Sequence, residues 1–381
     1  MQRRDFLLGS SAAALAALPY GATRAAEATS AANRPTVNLT HDGLALSPQE
    51  YAAQLLQLTT EAALAPDGYS NGGVIADLEQ RFAAKLGKQA AVFLPTGTLA
   101  NHLAVRTLAR DDRRVLVQAD SHLYCDSGDG ATALSGLQLV PLAAGRPTIT
   151  LDEVRHQIER AEGGRVPARV GVLSIEVPVR RHDHRIVDVD ETQRVTDYAR
   201  SRGMRLHLDG ARLFNLPQHT GRSVADRAAP FDTVYVSLWK HFNAMSGAIL
   251  AGERAIIENL YHVRRMFGGS LPQAWPVAAL ALRYLDRYER DYATAWRTFD
   301  EAVARLPRER FELRRLADGS SKVWLTLHRV DVATFARRLA AEGIGVPATA
   351  DASGRLALMV NTSLAGIDAE VLAAAFVRAA G

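Results

Sequence analysis

Short apolar runs alternate with amphipathic segments along the chain as far as about residue 265. Val115 to Gln118, Val170 to Ile175 and Phe231 to Leu238 are apolar enough to form buried strands. Segments such as Val74 to Leu86 and Val189 to Arg200 favour helices instead. Strands that alternate with helices predict an α/β fold built on a mostly parallel, doubly wound sheet.

The pattern changes after residue 265. The elements predicted there are one long helix at Trp275 to Arg297, strands at Val323 to His328 and Leu356 to Val360, and helices at Val332 to Ala341 and Ala369 to Ala380. This order predicts a small C-terminal α+β domain over residues 266–381. Residues 29–265 form the predicted large domain with an N-terminal arm. With 381 residues and 48% hydrophobic content, the chain is long enough for both domains.

Two of the apolar runs lead to residues of opposite charge. Leu206 to Leu208 is followed by Asp209, and Val234 to Leu238 is followed, after Trp239, by Lys240. Ligand groups collect at the carboxyl ends of strands in an open α/β sheet, so these two side chains could share one ligand. Pyridoxal phosphate needs both, because a lysine forms its Schiff base and an acid keeps its pyridine nitrogen protonated.

Each of these residues also has a structural interpretation. An acid at a strand end often forms a turn or caps a helix, and a lysine there can extend its ammonium into solvent. Only four of the 45 lysines and arginines are lysines, so arginine supplies the general positive charge of this chain. A lysine after an apolar strand therefore favours chemistry that arginine cannot perform, namely loss of a proton to become a nucleophile.

A candidate phosphate contact lies at Thr96-Gly97-Thr98, where a short strand runs into a predicted helix. The backbone N–H groups of a helix N-terminus, with neighbouring hydroxyls, can bind phosphate oxygens. The alternative is that the threonines only cap the helix. The turn has neither the lysine of a P-loop nor the spacing of a dinucleotide fingerprint.

Composition argues against several other classes of protein. The formal net charge is +4 and no basic run is interleaved with aromatic residues, which argues against nucleic acid as a partner. Cys125 is the only cysteine, so no internal disulfide can form, and we interpret it as a small packing residue. His182-Asp183-His184 lies in a charged loop without further ligands, and we predict no metal site.

The N-terminus carries a targeting pattern. Arg3 and Arg4 form a twin-arginine motif, and a mild apolar run from Leu7 to Leu18 follows. Ala26 to Ala28 offers a cleavage site, with Ala22 to Ala26 as an alternative. The alternative interpretation of the whole segment is an amphipathic N-terminal helix. The apolar run is shorter than the roughly 20 residues that cross a bilayer. We therefore predict a signal peptide at residues 1–28, twin-arginine export, and a periplasmic protein without a membrane anchor once the leader is removed.

The motifs together match a known family in order and spacing. The blocks are Phe93 to Asn101, Ser121-His122, His207 to Asn215, and Lys240. Over residues 37 to 381 they resemble the threonine aldolases, which are grouped with the β-eliminating lyases. The resemblance implies the type I fold of pyridoxal-phosphate enzymes, with pyridoxal 5'-phosphate as the cofactor.

Site residues follow from the resemblance. Gly97 and Thr98 would hold the phosphate, and Arg212 would lie beside the cofactor. The expected catalytic residues are His122, Asp209 and Lys240. His122 would stack on the pyridine ring, either with that role alone or also as a base. Asp209 would pair with the ring nitrogen, and Lys240 would form the Schiff base.

Four stretches depart from the family pattern. A Ser-Asp-Thr segment that helps to hold the substrate carboxylate is replaced by Thr40 to Gly43. A glycine-rich loop after the lysine becomes His241 to Met245, and the Asn-Thr-His after Glu176 becomes Val177 to Val179. The family's carboxylate-binding arginine aligns with Leu358. Arg355 is three residues away, and along a strand this odd offset places its side chain on the opposite face.

The implied activity is cleavage of the Cα–Cβ bond of a β-hydroxy-α-amino acid, giving glycine and an aldehyde. The departures leave alternatives open: β-elimination, racemisation or transamination of a small amino acid, or a non-catalytic periplasmic relative. Family members are homotetramers of dimers in which a tyrosine matching Tyr69 reaches the neighbouring cofactor. We therefore expect an amino acid substrate and a homodimer or homotetramer.

Overall fold

The protein is described by a computed structural model over residues 36–381. The leader predicted at residues 1–28 lies outside this range. Within residues 36–381, no helix combines the length and the apolar character needed to cross a bilayer.

Strands and helices alternate through the first two thirds of the described chain. The strands are β1 (Val37–Asn38), β2 (Ala90–Leu94), β3 (Arg114–Gln118), β4 (Gln138–Leu142), β5 (Val170–Glu176), β6 (Arg205–Asp209), β7 (Thr233–Ser237), β8 (Ala248–Gly252), β9 (Phe311–Arg314), β10 (Lys322–Leu327), β11 (Ile344–Gly345) and β12 (Arg355–Met359). The helices are α1 (Pro48–Glu61), α2 (Gly73–Lys85), α3 (Gly97–Ala109), α4 (His122–Cys125), α5 (Gly130–Ser135), α6 (Leu151–Glu162), α7 (Val189–Ser201), α8 (Leu216–Thr220), α9 (Val224–Ala228), α10 (Leu238–His241), α11 (Arg254–Ile257), α12 (Leu260–Met266), α13 (Trp275–Leu285), α14 (Tyr288–Val303), α15 (Val332–Ala341) and α16 (Ala369–Ala380).

The central sheet has seven strands in the order β2-β8-β7-β6-β5-β3-β4. All of them run parallel except β8, which pairs antiparallel with β2 and β7. The strands β6, β7 and β8 are almost wholly buried, as expected for a sheet covered on both faces. The predicted α/β class with a mostly parallel sheet is confirmed.

The chain changes direction across the sheet between β3 and β5. It runs from β3 outward to β4 at the edge and then returns to β5 on the other side of β3. In open α/β sheets, such a reversal leaves a crevice at the carboxyl ends of the strands, where ligands bind. Functional side chains are therefore expected in the segments that follow β3 and β5.

The C-terminal part contains a second sheet, with β9, β10 and β12 antiparallel in the order β12-β10-β9. A third, two-stranded sheet pairs β1 with β11 in parallel, so the N-terminal arm joins this part of the molecule. The smaller α+β unit is thus present. The boundary at residue 265 stays a prediction.

Two predicted elements differ from the structure. The long helix at Trp275 to Arg297 is two helices, α13 and α14, separated at Asp286 and Arg287. An i→i−3 bond from Arg287 N to Tyr284 O lies at this break, and α13 packs on α2 while α14 packs on α16. Strand β7 also ends at Ser237 rather than Leu238, and Lys240 lies in the one-turn helix α10.

Candidate active site

Three neighbouring strands end side by side with polar side chains. Glu176 at the end of β5 is in register with Asp209 at the end of β6, which is in register with Tyr235, two residues before the end of β7. All three residues are buried. Burial and the adjacent Asp209 raise the pKa of Glu176 above its ordinary value. The strand ends therefore place an acid pair and a phenol at the crevice that the chain reversal predicts.

A series of hydrogen bonds through Asn101 and His207 fixes the carboxylate of Asp209. Asn101 Nδ2 donates to Asp209 Oδ2 at 2.6 Å, and the Ala211 N–H donates to Oδ1 at 3.2 Å. Asn101 Oδ1 lies 2.9 Å from His207 Nε2, and His207 Nδ1 lies 2.8 Å from Thr233 Oγ1. Burial lowers the pKa of His207 to about 4, so its ring is neutral at pH 7. A neutral ring that donates from Nε2 fixes the Asn101 amide with its N–H groups towards Asp209.

Lys240 is a buried amine without an acidic partner. It is 9% exposed, and among residues 36–381 it has no hydrogen bond or ion pair from its side chain. Its Nζ lies 5.3 Å from the ring centroid of Trp239. Burial, assisted by Arg212, lowers its pKa to about 8. An amine in this state loses its proton near neutrality, as a nucleophile for an aldehyde must.

Helix α3 begins at the same crevice. Thr96 is its N-cap, and its hydroxyl accepts a hydrogen bond from the Leu99 N–H at 3.2 Å. The capping alternative is therefore right for Thr96. No side-chain partner is recorded for Thr98 within the described residues. A Cβ at Gly97 would lie 1.9 Å from the Tyr235 hydroxyl oxygen, so only glycine fits between the helix start and β7. The result is a helix N-terminus open to an anion.

His122 opens the short helix α4, directly after β3. Its backbone N–H donates to Glu176 Oε2 at 2.6 Å, which bridges the two sides of the chain reversal. Nδ1 lies 3.4 Å from Ser127 Oγ. Burial lowers the pKa of His122, so the ring is neutral at pH 7 and able to accept a proton.

Arg212 forms a buried ion pair with Asp42 in the N-terminal arm. Arg212 Nε and Nη2 donate to the two carboxylate oxygens at 2.6 and 2.8 Å. Burial alone would raise the pKa of Asp42, but Arg212 holds it well below its usual range. Sequence reasoning assigned no role to Asp42. Its 170-residue separation from Arg212 gives no local signal that could have revealed the pair.

Two of the unusual stretches lie against each other. A Cβ at Gly43 would come within 2.3 Å of the Lys240 carbonyl oxygen and 2.5 Å of Asn243 Oδ1. Asn243 Oδ1 also accepts a hydrogen bond from the Leu44 N–H at 2.8 Å. The glycine in the arm and the asparagine in the loop after Lys240 therefore form one packed unit.

The predicted cofactor residues share one cavity of about 500 Å³. Its lining includes Gly97, Thr98, His122, Arg212 and Lys240. Asp209 does not line it but is buried beneath it, close enough to raise the pKa of Lys240 against the effect of burial. The structure thus brings the six predicted residues together, while their roles stay predictions.

The donor set fits pyridoxal phosphate. The open helix N-terminus at Gly97 suits a phosphate, the unpaired amine of Lys240 suits an aldehyde, and the buried carboxylate of Asp209 suits a pyridinium nitrogen. These three features come from separate elements, α3, α10 and β6.

Sequence reasoning missed two charged residues of the cavity, Asp126 and Arg180. They pair with each other, and Arg180 lies four residues after Glu176, whose Oε1 accepts the Arg180 N–H at 2.8 Å. The position of Arg180 shortly after the end of β5 was the sequence signal that could have identified it as a cavity residue. Leu358 is buried, whereas Arg355 binds Asp351 and stacks on Trp324. The two side chains therefore lie on opposite faces of β12, as their odd offset predicted.

The remaining sequence predictions concern residues outside the cavity. Tyr69 is half-exposed and does not line it. His182, Asp183 and His184 contact three different residues, respectively Asp120, Lys322 and Ser321. Cys125 is exposed rather than packed, because it lies at the end of the one-turn helix α4, so its predicted packing role is wrong.

Comparison with known proteins assigns the family. The β-eliminating lyase family profile matches residues 50–341. The chain is 28% identical to the low-specificity L-threonine aldolase of Saccharomyces cerevisiae over 60% of its length, and 26% identical to the alanine racemase TOXG of Cochliobolus carbonum, also over 60%. It spans only 59% and 58% of those two proteins.

A solved structure agrees over nearly the whole chain. The crystal structure of a candidate L-allo-threonine aldolase from Listeria monocytogenes superposes with a TM-score of 0.75 at 26% identity, covering 91% of this chain and 96% of that one. With the donor set of the cavity, the family indicates pyridoxal phosphate as the cofactor. The predicted resemblance is confirmed: the chain belongs to the β-eliminating lyase family, alongside the threonine aldolases that it matches.

Proposed function

We propose that the protein is a pyridoxal-phosphate lyase that cleaves the Cα–Cβ bond of a β-hydroxy-α-amino acid and releases glycine and an aldehyde. The observation that carries this proposal is that Lys240 lines a cavity at the carboxyl ends of the central strands, while Asp209 is buried beneath the same cavity. The low-specificity L-threonine aldolase and the L-allo-threonine aldolase among its relatives support this reaction class.

The chain's own residues supply attachment, charge and proton transfer. When bound, pyridoxal phosphate supplies an aromatic ring that accepts the electrons left at the substrate Cα. Lys240 is the amine that holds the cofactor covalently before substrate arrives. Asp209 would hold the ring nitrogen and supply negative charge there, where it matters most as the ring accepts electrons. Asn101 keeps that carboxylate in place.

His122 is the candidate base for the substrate hydroxyl. Its Nδ1 faces Ser127, which leaves Nε2 as the ring nitrogen without a recorded partner among residues 36–381. A neutral histidine can take the hydroxyl proton at Nε2 as the Cα–Cβ bond breaks, and can return it later.

Arg180 is the candidate contact for the substrate carboxylate. Leu358 is apolar and buried where the resemblance expected an arginine, so another cation is needed. Arg180 lines the cavity and is 41% exposed at its side chain, whereas Arg212 is 8% exposed and its charge is paired with Asp42. A planar guanidinium suits a carboxylate. Asp126 would orient Arg180 in the absence of substrate.

The proposal is tested with purified holoprotein and a panel of L-threonine, L-allo-threonine and L-serine. Expected results are a visible absorption from covalently bound cofactor and release of glycine with the matching aldehyde. Lys240→Ala should abolish aldehyde release, whereas Asp209→Ala should keep cofactor but lose about a hundredfold or more in kcat. Aldehyde release by Lys240→Ala at the wild-type rate would contradict the assignment.

Racemisation is the second candidate, because the alanine racemase TOXG is also a relative. The same donor set supports removal of the Cα proton instead of the Cβ carbon. Incubation of the holoprotein with L-alanine, followed by chiral chromatography, separates the two candidates. D-alanine formed without glycine or aldehyde from threonine would favour the racemase.

We propose that the protein assembles as a homodimer or homotetramer. Tyr69, Tyr261 and Met266 are exposed, and the neighbouring Arg264 and Arg265 stack on Tyr261 and Tyr69 respectively. Helix α1 has no buried residue in the single chain. Exposed apolar surface of this kind favours a second copy of the chain. Light scattering of the holoprotein tests this, and a monomer at micromolar concentration would contradict it.

We propose export to the periplasm through the twin-arginine route. The support is the Arg3-Arg4 motif with its short apolar run. That route carries folded proteins, which suits a protein that takes up its cofactor before export. Fractionation of cells that express the full chain tests the proposal. The Arg3→Lys, Arg4→Lys double variant should accumulate in the cytoplasm, and an unchanged distribution would contradict it.

A further inference from the structure

A second cavity, of about 700 Å³, shares no lining residue with the candidate active site. It lies where α9 and the loops around residues 145–150, 185–189 and 317–318 meet. Its wall carries four arginines, Arg146, Arg185, Arg222 and Arg227. This concentration of guanidinium groups belongs to no part of the proposed reaction.

Two of the four arginines are neutralised by the protein. Arg146 Nη2 lies 2.8 Å from Glu153 Oε1. Arg185 Nε donates to both carboxylate oxygens of Asp318 at 2.8 and 2.9 Å. Their charges are therefore already balanced within the described chain.

Arg222 and Arg227 are not neutralised. Nε and Nη2 of Arg227 are buried, and within residues 36–381 neither has a hydrogen-bond acceptor. No acidic group in that range forms an ion pair with Arg222 or Arg227. Burial, followed by the nearby charge of Arg222, lowers the pKa of Arg227. Arg222 is exposed and Arg227 is partly buried, and both line the cavity without an acidic partner, so their two unbalanced charges favour a bound anion there.

The acids near the cavity have other partners. Asp318 binds Arg185, and Asp188 Oδ1 accepts the Glu191 N–H at 2.8 Å. Asp226, next to Arg227, accepts hydrogen bonds from Ser223 Oγ and N at 2.7 and 3.1 Å. None of them is directed at the buried nitrogens of Arg227.

We propose that this cavity is a binding site for a small anionic molecule that presents a phosphate or carboxylate group to Arg222 and Arg227. A guanidinium pair binds either group through paired, charge-assisted hydrogen bonds. The cavity volume is in the range of small-molecule sites and admits more than a bare ion. His219 on the wall is neutral at pH 7, because burial lowers its pKa to about 4, so the arginines carry the recognition.

The test titrates holoprotein, whose cofactor fills the phosphate cradle of the active site, with inorganic phosphate and separately with citrate. Both titrations are run at constant ionic strength against sodium chloride. Calorimetry and thermal melting should show one saturable site. Arg227→Gln and Arg222→Gln should each weaken binding about tenfold or more. Tighter binding of phosphate identifies a phosphorylated ligand, and tighter binding of citrate a carboxylate ligand.

Arg308→Gln is the matched control, since it removes the same charge from an exposed position outside the cavity. It should bind both probes as the wild type does. In chloride alone, Arg227→Gln should melt no lower than the wild type, because no protein partner is lost. The proposal fails if neither probe binds, if Arg227→Gln binds as tightly as Arg308→Gln, or if Arg227→Gln melts lower in chloride.

Discussion

The side-chain amide of Asn101 lies between Asp209 and His207, with Nδ2 at 2.6 Å from the carboxylate and Oδ1 at 2.9 Å from the imidazole. The amide is fully buried. Because the neutral histidine donates to one end of the amide, the other end can only donate to the acid. The orientation of Asp209 therefore depends on a residue of α3, a helix that also begins at the phosphate cradle.

Asn101→Ala should lower kcat by about tenfold to a hundredfold and change KM little. The lost hydrogen bond acts on a charged group, and such bonds contribute roughly 1.5–3 kcal/mol. Steady-state kinetics with L-threonine measure both constants. Asn259→Ala, at an exposed position, should leave both unchanged. A rise in KM alone would show that Asn101 acts on substrate binding instead.

Arg180→Gln should raise KM for the amino acid substrate about tenfold or more, because a charge-assisted contact to its carboxylate is lost. Arg181→Gln is a close control, since Arg181 also binds Asp126, at 2.7 Å, but does not line the cavity. Steady-state kinetics of the two variants, measured side by side, show whether KM depends on Arg180 itself or only on the charge near Asp126. Equal KM values would remove Arg180 from the substrate site.

Gly97→Ala should weaken cofactor binding, because its methyl group would overlap the Tyr235 hydroxyl. Overpacking at such a site costs about 1–3 kcal/mol. Equilibrium dialysis against pyridoxal phosphate and thermal melting measure the two effects. Gly366→Ala, where a Cβ meets nothing within 4 Å, should behave as the wild type. Unchanged cofactor affinity in Gly97→Ala would show that the start of α3 tolerates a side chain.

Uptake of pyridoxal phosphate by the apoprotein should accelerate as pH rises and reach half its maximal rate near pH 8. Only the unprotonated amine of Lys240 attacks an aldehyde, and burial lowers its pKa to about 8. Borohydride trapping followed by mass spectrometry measures the covalent product. Lys240→Arg should trap none. A rate that keeps rising towards pH 10.4, the ordinary lysine value, would contradict the lowered pKa.

Local patterns in the sequence were enough to predict much of the fold and of the cavity. The period of apolar residues distinguishes strands from helices, and strand ends indicate where side chains such as Asp209 and Lys240 collect. The roles of Gly97, Thr98, His122 and Arg212 were instead implied by the family resemblance. Lys240 lies in the one-turn helix α10, directly after β7 rather than within the strand, and it still lines the predicted cavity.

What the sequence did not reveal depends on pairs that are far apart in the chain. Asn101 and Asp209 are 108 residues apart, and Asp42 and Arg212 are 170 apart. Neither pair produces a periodic signal, because each forms only after separate elements have packed. The break between α13 and α14 is similar, since it follows from the different helices on which the two pack.

The N-terminal arm has a consequence for the timing of assembly. Val37 and Asn38 pair with β11, and Asn38 N donates to Ser363 Oγ, 325 residues later. A few positions on, Asp42 and Gly43 contact Arg212 and the backbone of Lys240. The first part of the described chain to leave the ribosome therefore completes its contacts only after residues near the end of the chain have been made. The cofactor cavity can reach its final shape only after synthesis of the chain is essentially complete.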